Sequence, residues 1–515
     1  MTLDRRAVLA AAPAILLYGR AAAALGDNPF TFGVASGEPA PDGMVLWTRL
    51  ATQPLTPDGG MPARAIPLRW EVYEDEVLRR LARAGRAAAD PAFGHSVHVE
   101  VAGLRPGRPY WYRFLADGIA SPVGCTRTAP ASGAPVDRLR VCFASCQKYE
   151  AGYYAAWTHA VADTPDLILF LGDYIYEADP DPKALRPHRN PEPVDLAGYR
   201  VRYATYRLDP LLQAAHAAAP WVVTWDDHEV ANDYAGLLSE MNAPIDQFRR
   251  RRAAAYQAYY EFMPLRAAQR PTATEMRLYR TLDWGRLAQF QIVDDRQYRG
   301  ARACQPPERL ARHRKYLSLT PDCAGRHDPG RSILGTAQER WLGDALGHTQ
   351  ATWNILAQQT LMMPYRKHDP GRLADGAIFY SEDTWSGFPE ARERILARWQ
   401  AAKVSNPLVM SGDIHSFAAG ELYSERGDGA PVAPEFVGGS ITSLEHDATL
   451  RGDMMSQHGF RFAENAVRGY GRADLTPGRC DVTFRGLADA RDPRSAARDL
   501  ARFTVEAGSP RIRIA

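Results

Sequence analysis

Apolar and polar positions follow two different rules along the chain, and the change comes near residue 138. Before it, apolar residues alternate with polar ones or come in short runs between turn signals. Leu68-Arg69-Trp70-Glu71-Val72-Tyr73 and Ser96-Val97-His98-Val99-Glu100-Val101 repeat with a period of two, the mark of strands with one buried face. Phe30-Thr31-Phe32-Gly33-Val34 and Met44-Val45-Leu46-Trp47 flank the turn-forming Glu38-Pro39-Ala40-Pro41-Asp42-Gly43. Leu104-Arg105-Pro106-Gly107 runs into Pro109-Tyr110-Trp111-Tyr112-Arg113-Phe114, the pattern of a sandwich corner pinned by a buried Tyr hydroxyl. Residues 26–130 therefore read as a small β-sandwich of immunoglobulin or fibronectin type III kind. The Arg- and Ala-rich stretch 78–89 interrupts that pattern and reads as a loop or short helix, and 129–136 as a linker.

Beyond 138 the apolar runs become continuous: 139–146, 166–173, 221–227, 288–295, 353–358 and 407–415. Continuous runs of that length belong to strands buried on both faces. Helical patterns lie between them at 246–263, 337–346 and 388–403, which predicts a layered α/β domain over 138–515. Residues 444–515 are polar, Arg-rich and weakly periodic, and read as a loosely structured end with one helix at 492–503.

With 515 residues, 45% hydrophobic and 24% charged, the chain has material for at least two domains. Its net charge of +2 gives no polyanion-binding signature, so no specific nucleic acid is expected as a partner. The beginning is more telling. Arg5-Arg6 precedes an apolar run to Tyr18, then Arg20 and the small residues Ala21 to Ala24. This is an export signal over 1–24, too short to span a membrane, and the paired Arg points to the twin-arginine machinery, which carries folded proteins. The mature protein is expected to be periplasmic or secreted, without stable membrane insertion. Six cysteines are few for this length; Cys304 and Cys323 are a candidate pair in an oxidising compartment.

The same event recurs where the buried runs stop. The ends read Phe143-Ala144-Ser145-Cys146, Gly172-Asp173-Tyr174-Ile175-Tyr176-Glu177, Asp226-Asp227-His228-Glu229, Val293-Asp294-Asp295-Arg296 and Gly412-Asp413-Ile414-His415. Ligands of open α/β sheets bind at the carboxyl ends of strands. A lone Asp in such a place is commonly a helix cap, and Asp295 reads so; Cys142 reads as a small buried hydrophobe. Several acids gathered together need a cation, because burying them unneutralised is costly.

In order and spacing these motifs resemble the metallophosphoesterases, and within them the PhoD-like alkaline phosphatase/phosphodiesterase family. Gly172-Asp173-x-x-Tyr176 resembles the GDxxY segment shared with purple acid phosphatases. Asp227-His228-Glu229 stands where the wider superfamily has Asn-His-Glu, and Gly412-Asp413-x-His415 where it has Gly-His-x-His. Cys146 replaces the opening Asp of Asp-x-His, as this family does. The resemblance implies an α/β fold, a layered α/β/β/α metallophosphoesterase domain preceded by the β-sandwich. It implies one Fe3+ on Cys146, Asp173, Tyr176 and His415, and one or two Ca2+ with Asp173 bridging and Asp227 and Asp413 as ligands. The pattern does not separate Asp226 from Asp227. The superfamily's middle histidine is missing, with Gln358-Gln359 near its place.

The implied activity is hydrolysis of small or polymeric phosphate mono- or diesters by hydroxide generated on a metal. His228 is the candidate acid/base group, and Arg296 the candidate phosphate contact or clamp. Two other readings compete: a phospholipase D-like or other ester hydrolase on the same scaffold, and a non-catalytic extracellular metal-binding protein.

Overall fold

The computed structural model describes residues 28–306, 317–368, 378–427, 429–445, 447 and 449–515, so the expected signal over 1–24 lies outside the described residues. The first part of the chain forms strands β1 (Val34–Ala40), β2 (Gly43–Arg49), β3 (Ile66–Tyr73), β4 (Leu81–Ala89), β5 (Ser96–Val101), β6 (Pro109–Ala116), β7 (Ile119–Ala120) and β8 (Gly124–Arg127). β1, β2 and β5 pair antiparallel on one side, while β3, β4, β6, β7 and β8 form a separate sheet. Val34, Met44, Leu46, Val97 and Val99 from the first side meet Leu68, Val72, Tyr110 and Phe114 from the second in one core. The corner is pinned as its sequence predicts: the Tyr110 hydroxyl donates to Arg105 O at 3.2 Å and accepts from Arg105 N at 2.9 Å.

One expectation fails here. The 78–89 stretch holds strand β4, paired antiparallel along β3. β4 is an edge strand with most of its length exposed or half-exposed, and its Arg and Ala side chains give no apolar alternation to read.

The second part supplies β9 (Leu139–Ala144), β10 (Leu167–Leu171), β11 (Trp221–Thr224), β12 (Arg280–Trp284), β13 (Ala288–Ile292), β14 (Leu319–Thr320), β15 (Trp353–Ala357), β16 (Arg366–His368), β17 (Ile378–Ser381), β18 (Pro407–Ser411), β19 (Phe417–Tyr423) and β20 (Pro431–Gly438). The last part supplies β21 (Phe460–Glu464), β22 (Gly469–Leu475), β23 (Arg479–Leu487), β24 (Ala497–Glu506) and β25 (Ile512–Ile514). Two large sheets result, ordered β25-β24-β23-β22-β9-β10-β11-β1-β2-β5 and β12-β13-β15-β18-β20-β19-β21. A small third sheet joins β14, β17 and β16.

The continuous apolar runs serve two cores at once. Leu139, Val141, Phe143, Leu167 and Leu169 point between the sheets, against Phe290, Ile355, Leu408 and Met410. Their neighbours Cys142, Ile168 and Phe170 point outward, under helices such as Leu196–Arg207 and Ile245–Phe262. Across the molecule, Leu356 and Val409 pack beneath Gly335–His348 and Pro389–Ala401. The layers are α/β/β/α, as expected.

The sandwich is not a detached module. β1 lies parallel to β11, pairing Gly37 with Trp221, so half of the sandwich continues the ten-stranded sheet. The 444–515 end is corrected as well: it holds the five strands β21 to β25 and a short helix, Leu450–Met455, and 492–503 leads into β24 rather than a helix. Cys480, Val482, Phe484, Phe503 and Val505 do alternate into the central core. Outward Arg485 and Arg502, paired with Asp499, give the segment its polar look. Cys304 and Cys323 are disulfide-bonded.

Candidate metal centre

β9, β10 and β11 run parallel to one another in one sheet, β13, β15 and β18 do so in the other, and they release their loops on one edge. The loops come very close. A side chain on Gly172 would overlap Asp226, and one on Gly412 would overlap Ser145, which is why both GD steps require glycine. Cys146, Asp173, Asp413 and His415 have φ of 58°, 59°, 66° and 50°, left-handed values that cost non-glycine residues about 1–3 kcal/mol each. Strain of this sort persists only where the surroundings enforce it. Glu229 is one such enforcer: it accepts from Asp226 N at 2.9 Å, Asp173 N at 3.1 Å and Tyr174 N at 2.6 Å, tying the β10 and β11 loops together.

Three groups of donor atoms, each within 4.8 Å, make a continuous cluster. The first is Cys146, Asp173 and His415, the second Asp173, Asp227 and His228, and the third Asp226, Asp227 and Asp413. Tyr176 joins the first: its hydroxyl lies 2.7 Å from Asp173 Oδ2 and 2.9 Å from His415 Nε2, and accepts from Ser443 Oγ at 2.7 Å. His415 Nδ1 meets Leu444 O at 3.1 Å, so that nitrogen carries the proton and Nε2 offers its lone pair to the cluster. Burial, then the charges of Asp173 and other acids, push the Cys146 thiol well up; burial, Asp173 and Cys146 do the same to Tyr176. Burial and the His228 cation hold His415 down to about 3.

The other end is all carboxylate. Asp413 accepts from Thr360 Oγ1 at 2.5 Å, and Asp227 Oδ2 from Asp233 N at 2.7 Å. Arg296, fully buried, places its Nε on Asp226 and lies 3.4 Å from Asp227. Its far side is bound by Asp383 at 2.5 and 2.9 Å, and Arg299 secures Asp383 at 2.6 Å. Burial works against the Asp227 carboxylate, but Arg296 and His228 outweigh it and lower its pKa; for Asp226 and Asp413 burial wins and the pKa rises.

His228 bridges the two ends, with Nδ1 2.6 Å from Glu177 Oε2 and its ring 4.1 Å from that of Tyr176. Burial disfavours the imidazolium, yet Glu177, Asp227 and Asp173 hold it well above its ordinary range.

All eight residues singled out in the sequence thus meet at one sheet edge. Asp173 Oδ1 and Asp226 Oδ2 are buried without a hydrogen-bond partner, and oxygens of that kind, beside a thiol and a phenol, fit a bound cation. Asp295 caps no helix, since a turn follows β13, and Asp294 holds that turn: its Oδ1 accepts from Arg296 N and Gln297 N, each at 3.0 Å. Asp295 instead faces Arg299 at 3.5 Å. Gln359 braces the floor, bonding Asp295 N, Thr224 and Val293 O. Cys142 is a buried core residue four positions from Cys146. Glu177, Thr360 and Asp383 were missed. Glu177 is adjacent to Tyr176 and readable as an acid at a strand end; Asp383 comes from a loop after β17 with no pattern to mark it.

Known proteins resemble this chain over nearly its whole length. A family model described as PhoD-like phosphatase matches residues 141–484, and one described as PhoD-like phosphatase, N-terminal domain, matches 16–130. Alkaline phosphatase D of Bacillus subtilis (strain 168) is 42% identical over 488 residues, 93% of this chain and 81% of the relative. A solved structure of PhoD aligns with a TM-score of 0.88 at 40% identity, over 95% of this chain and 92% of that one. Matched from the sandwich through the strand-end cluster, the chain belongs to the PhoD-like phosphatases.

Proposed function

We propose that the chain is an exported alkaline phosphatase/phosphodiesterase that hydrolyses phosphate mono- or diesters at a centre of one Fe3+ and one or two Ca2+. The observation that carries the metal reading is the overlap of the three donor groups through Asp173 and Asp227, with Asp173 Oδ1 and Asp226 Oδ2 lacking partners inside the protein. Cys146, Asp173, Tyr176 and His415 would hold the iron, since thiolate and phenolate are strong donors for a small trivalent ion. Asp227 and Asp413, with Asp173 shared, offer the hard oxygens that suit calcium, and Asp226 lies within the same reach. When bound, such ions supply Lewis acidity toward the phosphoryl oxygens and the attacking water.

The protein's own groups do the remaining work. His228 gives a proton to the leaving oxygen. Arg296 acts as a clamp rather than a phosphate contact: it is fully buried, and Asp226, Asp227 and Asp383 already engage it. Asp173 is shared between the two ends, so it couples them.

Exhaustive dialysis against a strong chelator should reduce turnover of a chromogenic phosphodiester to background, and iron with calcium should restore it. Undiminished turnover in metal-free protein overturns the reading. Export by the twin-arginine route rests on Arg5-Arg6. Replacing both with Lys should leave precursor in the cytoplasm, and normal export would refute that route.

A further inference from the structure

We propose that Glu177 is the positioning residue of the acid/base step, fixing which nitrogen of His228 meets the leaving oxygen. The inference rests on the reading of His228 as the acid/base group, and adds to it the device that orients the ring. The turn after β10 places two consecutive side chains on different tasks. Tyr176 enters the donor cluster through its hydroxyl, 2.7 Å from Asp173, and Glu177 passes behind His228. The Glu177 carboxylate is 2% exposed. One oxygen lies 2.6 Å from His228 Nδ1, and the other accepts from Asn232 N at 2.8 Å.

The contrast with two other buried glutamates near the strand ends is informative. Glu229 and Glu435 engage backbone N–H groups with both oxygens: Glu229 takes three, and Glu435 takes Met362 N at 2.8 Å and Met363 N at 2.6 Å. These are braces for the main chain. Glu177 commits one oxygen to an imidazole, pairing with His228 at 2.6 Å.

The two nitrogens of an imidazole are chemically distinct, and a bond to one decides what the other can do. With Nδ1 on Glu177, Nε2 is the nitrogen left to serve the substrate. The Tyr176 ring, 4.1 Å away, restrains the same imidazole from one face. Without Glu177 the ring is free to flip or swing, and proton delivery loses its geometry while Cys146, Asp173, Tyr176 and His415 stay in place.

Leaving groups tell these roles apart. A p-nitrophenolate departs without a proton, whereas an alkoxide needs one. The test compares phosphodiesters with p-nitrophenyl, phenyl and ethyl leaving groups in the wild type and in Glu177→Ala, Glu177→Asp, Glu177→Gln and His228→Ala, each matched for metal content. Glu177→Ala should lower kcat about 100-fold for the ethyl ester and under about 3-fold for the p-nitrophenyl ester, in step with His228→Ala. Glu177→Asp, its carboxylate drawn back by about 1.5 Å, should follow the same trend if the alanine variant folds poorly. Glu177→Gln keeps an acceptor for Nδ1 and should retain most activity. A steep leaving-group dependence in His228→Ala with an equal loss on all esters in the Glu177 variants overturns this inference alone. An equal loss across esters in His228→Ala overturns the acid/base reading and this inference with it.

Discussion

The two ends of the cluster are neutralised by different means. At one end Cys146, Tyr176 and His415 surround Asp173, and none of them carries a fixed positive charge. At the other, Asp226, Asp227 and Asp413 gather around Arg296, a cation supplied by the chain itself and held from behind by Asp383. Burial pushes the thiol and phenol up, so in protein surroundings alone both keep their protons. A metal reverses that, because a bound cation is the largest local charge and deprotonates its ligands. The carboxylate end holds its shape through an internal ion pair, whereas the thiol end would gain its charged form only with a bound metal.

Removing the shared group should do the most damage. Asp173→Asn should cut kcat/KM by more than about 100-fold, beyond the loss that follows from an outer-shell partner, and lower the content of both metals. A variant that loses one metal and keeps the other would show that the ends are independent.

Arg296→Met should act on stability first. Deleting one partner of a buried ion pair costs about 3–5 kcal/mol, here by leaving Asp226 without its cation while Asp383 keeps Arg299. Denaturant melts should show that loss while iron binding persists at the thiol end; equal loss of iron would erase the distinction.

Asp227 belongs to two donor groups and Asp226 to one. Asp227→Asn should therefore weaken calcium more than Asp226→Asn, by about 10-fold, as read by metal titration. The reverse order would assign the ligand to Asp226.

The smallest effect lies beneath the carboxylate end. Burial raises Glu435 to about 7, against the donors Ser411, Met362 and Met363 that favour its charge. A raised carboxyl pKa contributes stability that is present below the unfolded value and lost as pH rises through 7. Glu435→Gln should flatten the fall in stability between about pH 4.5 and 7 by up to about 1.4 kcal/mol per unit, measured by melts at several pH values. An unchanged slope would contradict it.

The donor cluster was legible because its residues stand where continuous apolar runs stop, a local signal that survives in one sequence. The same logic exposed Asp173, Asp227, Asp413 and His415 together. What it could not reach is non-local. Asp383 arrives from the loop after β17, and only the fold brings it to Arg296. Asp294 and Asp295 are adjacent acids, and the turn geometry decides which one takes the backbone N–H groups. β4 and the strands after 460 were hidden by composition: an edge strand of Arg and Ala shows no apolar face, and outward Arg and Asp masked the alternation of Cys480, Val482 and Phe484. The sandwich was readable as strands, but the parallel pairing of β1 with β11 that fuses it to the large sheet leaves no local trace.

Two cysteines four residues apart give the most direct test of the thiol end, through iron content and visible absorption of the wild type, Cys146→Ala and Cys142→Ala. Thiolate and phenolate on Fe3+ should give the wild type a charge-transfer band. Cys146→Ala should lose or shift it together with most activity, and Cys142→Ala should keep both while losing about 1–2 kcal/mol of stability. An active, colourless wild type without iron, or a Cys146→Ala variant with unchanged rate, would contradict the account.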